Sequence, residues 1–316
     1  MKIVFLDSIS VGEVSFKDIE KEGILKCYEL TAPNETQDRI KDSNIIITNK
    51  VYIGEKEMEA APDLKLICVA ATGYNNVNLE AAKRRNIVVA NVKNYSTDSV
   101  AQITFSYILE FFSSLKKYDN AVKSGEWGKS KIFTMLNYPI IELKGKKLGI
   151  IGYGEIGKKV AEIGKAFGME IVVAKRRGVA SSDNFRVEFE TVLKEADIIT
   201  IHTPLTKESE NMISENELGM MKKSAFLINC ARGKIVDENA LYKALLENQI
   251  AGAAVDVMEE EPPKNGSKLF SLNNIIITPH IAWAAKEARE RLIFKIVENI
   301  QKFKAKDFSI DLTKGI

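Results

Sequence analysis

Histidine is almost missing from this chain: its 316 residues include two, His202 and His280. Cysteine is nearly as scarce. Cys27, Cys68 and Cys230 are far apart and odd in number, without metal-ligand spacing or a disulfide framework. No metal is therefore expected, and a reducing cytoplasm is the natural compartment. An excess of either charge is also lacking. Lys and Arg number 45 against 43 Asp and Glu, a net charge of +2, which argues against a protein that coats nucleic acid or a membrane surface. The opening "MKIVFLDS" passes from a short apolar strand straight into polar sequence, too short for a signal core. No later apolar run could span a bilayer. The expectation is a soluble cytoplasmic protein of roughly two domains.

What is present is regular alternation. "KIVFLD", "ILKCYEL", "NIIITN", "LKLICVA" and "NIVVANV" read as strands separated by helical patterns. A second series follows: "KKLGIIGYG", "MEIVVAKR", "DIITIHTPL", "AFLINCARG", "IAGAAVDVM" and "NIIITPHIA". Such alternation predicts βαβ units and parallel sheets. Between the two series, residues 99–118 form a helical pattern that is apolar on most faces, expected to be buried between domains or between subunits. The last amphipathic helix has no strand of its own and is expected to return to the first domain. The cofactor domain is then an insertion at 98–285, with residues 1–97 and 286–316 forming the other domain.

"LGIIGYGEIG" places Gly152, Gly154 and Gly157 in a G-x-G-x-x-G directly after an apolar strand, with Glu155 and Ile156 at the helix start. The first glycine allows a tight turn, the second lets backbone approach a pyrophosphate, and the third lets helix pack on strand. The bare motif is weak; its strand–turn–helix context makes it a dinucleotide site. An NAD-binding unit should offer a carboxylate to the ribose about twenty residues further on. Here the second strand ends on Lys175, Arg176 and Arg177. A 2′-phosphate would meet several donors there, and no carboxylate would repel it, so NADP is favoured over NAD. The bland alternative is a solvated basic turn. His202, Thr203 and Pro204, and the pair Cys230 and Ala231, each follow a strand and are candidate cofactor-lining positions.

Moving a hydride to a carbonyl requires a proton donor, a task that suits imidazole. His280, in "IIITPHIAW", lies at the carboxyl end of an expected strand, where open α/β sheets place ligands. Arg232, in "LINCARGKIVD", could grip a carboxylate through two parallel bonds; a structural ion pair is the alternative. A glutamate of "DVMEEEPP" could orient His280, and spacing does not choose among Glu259, Glu260 and Glu261.

With these pieces in view, the chain resembles the D-isomer-specific 2-hydroxyacid dehydrogenases over essentially its whole length. The likeness is carried by "VAATGYNNVNLEAAKRRNIVVANV", "LGIIGYGEIGKKVAEIGKAFGM", "LINCARGKIVDENAL", "GAAVDVMEEEPP" and "ITPHIAWAAKEAR". Within the family, "ATGYNN", "NYSTDSVAQ" and "PHIAWAAKEAR" most resemble the glycerate dehydrogenase (hydroxypyruvate reductase) branch. The resemblance implies an α/β fold of two doubly wound parallel-sheet domains, a Rossmann domain inserted into a flavodoxin-like substrate domain. It implies Arg232 as the substrate-binding and catalytic arginine, Glu261 as the histidine's carboxylate partner and His280 as the proton donor. It implies Asp256 beside the nicotinamide, Ala71, Thr72 and Gly73 as backbone receiving the substrate carboxylate, a site in the cleft between domains, and a homodimer. The expected reaction is reduction of a small 2-keto acid, hydroxypyruvate or glyoxylate, to the D-2-hydroxy acid. Two departures stand out: Lys175 replaces the aspartate of many relatives, and Gln102 replaces a glutamate. The chain ends at Ile316 without the regulatory domain of many phosphoglycerate dehydrogenases, which makes 3-phosphoglycerate the less expected substrate. The rival of another class is a dinucleotide-sensing corepressor. Formate dehydrogenase fits poorly, since that branch resembles a glutamine–histidine pair.

Overall fold

The structure is a computed structural model and describes residues 1–177 and 185–316. The chain forms two compact units, Met1–Ser96 with Ala284–Ile316, and Thr97–Trp283.

The strands of the first unit are β1 (Lys2–Phe5), β2 (Ile24–Cys27), β3 (Ile45–Thr48), β4 (Leu66–Val69) and β5 (Val88–Asn91). They pair in parallel in the order β2-β1-β3-β4-β5. Every residue of β3 and β4 is buried, as expected when both faces of a parallel sheet are covered. The helix Lys286–Lys304 packs on β4 and β5 of this unit. Strand order reverses beside β1, and there the buried Asp7 carboxylate accepts hydrogen bonds from the backbone of Asn49 (2.9 Å) and Lys50 (2.6 Å). Burial raises the pKa of Asp7, and those backbone donors oppose the rise.

The second unit holds β6 (Lys147–Ile151), β7 (Glu170–Ala174), β8 (Arg186–Val187), β9 (Ile198–Ile201), β10 (Phe226–Asn229), β11 (Gly252–Val255) and β12 (Ile275–Ile277). The order is β12-β11-β10-β9-β6-β7-β8, again parallel throughout. All eleven strands read from the sequence are present; β8, two residues long, carries too little periodicity to be seen there. β6 lies between β7 and β9, so the chain changes direction across the sheet at β6, the position where such sheets bind ligands.

The helix Thr97–Ser113 buries Ser99, Val100, Ala101, Thr104, Phe105, Tyr107, Ile108 and Phe112 within its own unit. Phe111 stacks on Phe226 at 4.0 Å, Phe105 stacks on Phe167 at 5.6 Å, and Gln102 and Ser106 face solvent. Exposed apolar side chains instead follow it, at Leu115, Val122, Trp127, Ile132, Phe133, Leu136 and Ile140. Among the described residues, no helix is long and apolar enough to cross a membrane.

Candidate active site

The three glycines of the motif are required for three different physical reasons. Gly152 has φ +95°, and a Cβ there would sit 2.6 Å from the carbonyl carbon of His202. That approach lets His202 N donate to Ile151 O at 2.7 Å, extending the parallel ladder of β6 and β9 past the strand ends. A Cβ on Gly157 would lie 2.2 Å from the Gly152 oxygen, so helix and turn could not pack. On Gly154 a Cβ would meet no protein atom within 4 Å. Gly154 is the N-cap of the helix Glu155–Ala166, which has no side-chain cap. The space beside the first-turn N–H groups of Glu155 and Ile156 is thus open to an anion, and the residues fit a dinucleotide pyrophosphate.

His202 Nε2 lies 2.9 Å from Thr200 Oγ1, and His202 Nδ1 is buried without a hydrogen-bond partner among the described residues. Burial pushes the imidazole down to about 3, so it is neutral at ordinary pH. Thr203 is half-buried and Pro204 exposed in the same turn. Cys230 lies beside Thr104, and burial, followed by the charge of Asp256, pushes its thiol up to about 12. The neighbouring Ala231 is buried.

The basic cluster at the end of β7 is more engaged than its sequence suggests. Lys175 Nζ pairs with Glu188 at 2.8 Å. Arg177 pairs with Glu217 at 2.9 Å and Glu190 at 3.1 Å, and its guanidinium lies 4.2 Å from the centre of the Phe189 ring. Arg176 is exposed and has no hydrogen bond or ion pair within 4.0 Å among the described residues, although its charge acts on Glu208 and helps lower the pKa of that carboxyl. The ion-pair partners come from the β8–helix segment and from a residue forty positions downstream, which no local pattern reveals.

Arg232, Glu261 and His280 follow β10, β11 and β12, three neighbouring parallel strands, so all three stand at one edge of the sheet. His280 Nδ1 is 2.7 Å from Glu261 Oε2, while Glu261 Oε1 accepts from Met258 N at 3.0 Å. Geometry therefore singles out Glu261 among the three glutamates. Glu259 turns instead to Glu238, whose backbone N–H it accepts at 3.4 Å.

The Arg232 loop is fixed by Asn229, whose side chain donates to Arg232 O at 2.9 Å and accepts from Ala231 N at 3.0 Å. Asn229 had no assigned role in the sequence; its one signal is a polar residue ending an apolar strand. Gly233 brings this loop against the Glu261 loop, since a Cβ there would lie 2.0 Å from the Met258 carbonyl. The Arg232 guanidinium donates to Ala231 O at 2.6 Å and has no carboxylate within 4.0 Å among the described residues.

Asp256 is 1% exposed and accepts from Thr278 Oγ1 (2.6 Å), Ile281 N and Ala282 N (both 2.8 Å). Ala71, Thr72 and Gly73 follow β4 in the other unit. There Thr72 Oγ1 donates to Val92 O at 2.9 Å, and Asn91 Nδ2 donates to Thr72 O at 2.6 Å. This reciprocal clamp was also invisible in the sequence.

Two doubly wound parallel sheets, one bearing strand–glycine turn–helix at its switch point, define a dinucleotide-dependent α/β protein of the dehydrogenase class. The family description "D-isomer specific 2-hydroxyacid dehydrogenase, NAD binding domain" matches residues 105–282. The chain is 42% identical over 311 residues to glycerate dehydrogenase of Methylorubrum extorquens, covering 96% of each. D-lactate dehydrogenase of Aquifex aeolicus, solved with NAD and lactic acid, is 31% identical with a TM-score of 0.80 over 96% of both chains. An NADPH-dependent glyoxylate/hydroxypyruvate reductase of Sinorhizobium meliloti, solved with NADP and malonate, is 25% identical. Its TM-score is 0.81 over 96% of this chain and 93% of that one. This chain belongs to the D-isomer specific 2-hydroxyacid dehydrogenase family.

Proposed function

We propose that the protein reduces a small 2-keto acid, hydroxypyruvate or glyoxylate, to the D-2-hydroxy acid with NADPH in preference to NADH. The observation that carries this reading is the Glu261–His280 pair at 2.7 Å beside an Arg232 with no carboxylate partner among the described residues. The names of the Methylorubrum and Sinorhizobium relatives support the substrate class.

A bound nicotinamide supplies the hydride. Arg232 holds the substrate carboxylate through its planar fork, and the Ala71-Thr72-Gly73 backbone is the second group assigned to it. His280 donates its proton to the carbonyl oxygen as negative charge develops there, while Glu261, 2.7 Å from Nδ1, fixes the orientation of the ring. Arg176 is the residue assigned to the 2′-phosphate, because Lys175 and Arg177 already have carboxylate partners. The active species is assigned as a homodimer in which a second copy covers the apolar side chains between Leu115 and Ile140.

The deciding experiment compares kcat/KM for hydroxypyruvate and glyoxylate with each cofactor at one pH. His280→Ala should then lower kcat about 10²–10⁴-fold. Oxidation of neither cofactor by the parent protein would sink the reductase reading. Near-normal turnover in His280→Ala would remove His280 as the acid.

A further inference from the structure

We propose that Tyr107 is a positioning residue for His280, acting through Thr278 and the buried carboxylate of Asp256; the catalytic consequence rests on the reading of His280 as proton donor. His280 has φ +55°, a left-handed conformation uncommon outside glycine that needs surrounding structure to hold it. Asp256 supplies that hold. His280 N donates to Asp256 O at 2.7 Å, and the next two backbone N–H groups, of Ile281 and Ala282, donate to the two oxygens of the Asp256 carboxylate at 2.8 Å each. One side of the turn, Thr278, donates its hydroxyl to Asp256 Oδ1 at 2.6 Å.

Tyr107 completes this chain from the helix Thr97–Ser113. Its side chain is 4% exposed, with Oη 2.5 Å from Thr278 Oγ1 and 3.5 Å from Asp256 Oδ1. Burial raises its pKa well beyond the ordinary phenol range, so the phenol keeps its proton and must donate it. Because Thr278 gives its own proton to Asp256, its oxygen is left to accept from Tyr107. The bonds therefore run in one direction, Tyr107 to Thr278 to Asp256, and each donation polarises the next. Phenylalanine would fill the same space yet leave the Thr278 hydroxyl free to rotate away from Asp256. The carboxylate would then lose a donor in a buried setting, where missing bonds are costly, and the turn carrying His280 would lose one of its ties.

Tyr107→Phe tests this. Expected is a loss in kcat of about two- to twelvefold, the size of one hydrogen bond, with the keto-acid KM and cofactor Kd within about twofold. Thr278→Val should show the same loss, the double variant should be no worse than either single one, and Thr278→Ser should recover most of what Thr278→Val loses. A second arm does not need turnover. With two histidines in the chain, the His280 ring resonance is assigned by its persistence in His202→Gln. In Tyr107→Phe that resonance should broaden or split while the His202 signal stays in place.

Wild-type kcat in Tyr107→Phe, additive losses in the double variant, or an unchanged His280 resonance would each overturn the proposal. A protein that reduces no keto acid, yet whose His280 resonance responds to Tyr107→Phe, would sink the catalytic reading and support the positioning.

Discussion

If the proposed preference for NADPH rests on Arg176, removing that side chain should make the protein indifferent to the 2′-phosphate. Lys175 is held by Glu188 at 2.8 Å, and Arg177 by Glu217 at 2.9 Å and Glu190 at 3.1 Å, so neither can turn to a new anion without breaking an existing pair. Arg176 has no such ion pair among the described residues. A charge-assisted hydrogen bond contributes about 1.5–3 kcal/mol when sheltered; at an exposed position solvent screening removes about half of it. What remains is a discrimination of roughly three- to twelvefold. The assay is kcat/KM for NADPH and NADH at saturating hydroxypyruvate, paired with Kd from cofactor fluorescence. Arg176→Ala should lower the NADPH values by that factor and leave NADH within about twofold. The gap should shrink in high salt, as expected of an exposed charge. Glu188→Gln should act in the opposite direction, because it releases Lys175. Equal losses with both cofactors, or no loss with either, would refute the reasoning and reduce the cluster to a solvated turn.

The glycines offer a contrast: Gly154→Ala should leave Tm within about 2 °C while raising cofactor Kd about tenfold, since the added methyl faces only the anion cradle. Gly157→Ala meets backbone at 2.2 Å and should instead lower Tm by roughly 3–10 °C, and equal behaviour of the two would contradict the division of roles. Stability should also depend on pH through His202. Its folded pKa of about 3 lies below the unfolded value near 6.5, so the unfolded chain binds more protons across that window. Stability from this group is present above the unfolded value and lost as pH falls. The urea midpoint should therefore drop more steeply from about pH 7 to about pH 4.5 in the wild type than in His202→Gln, and matching slopes would count against a buried neutral imidazole. Phe133, 90% exposed, should lie in the dimer contact: Phe133→Glu should sediment as monomer, and a monomeric wild type would remove that assignment.

Much of the molecule is legible in the amino-acid sequence alone, for reasons of range. Strands such as "NIIITN" and "LKLICVA" announce themselves because a parallel strand covered on both faces must be apolar throughout. The glycine motif is equally local: turn, cradle and helix packing fall within six consecutive residues, Gly152 to Gly157. Arg232 and His280 are legible as residues that each follow a strand, whereas their grouping with Glu261 comes from the family resemblance.

The selection among equals was different. Glu259, Glu260 and Glu261 are alike in one dimension, and the hydrogen bond to His280 distinguishes them in three. Lys175, Arg176 and Arg177 form one basic run in sequence, and only the approach of Glu188, Glu190 and Glu217 sets Lys175 and Arg177, held in close ion pairs, apart from Arg176, which has none within 4.0 Å among the described residues. Tyr107 reads as one more large residue on an apolar helix until Thr278, 171 positions away, comes within 2.5 Å of its hydroxyl. Periodicity and motif record what a segment needs from its immediate neighbours. Hydrogen bonds and ion pairs between distant segments depend on angstrom-scale approach, which arises only when the sheets bring those segments together.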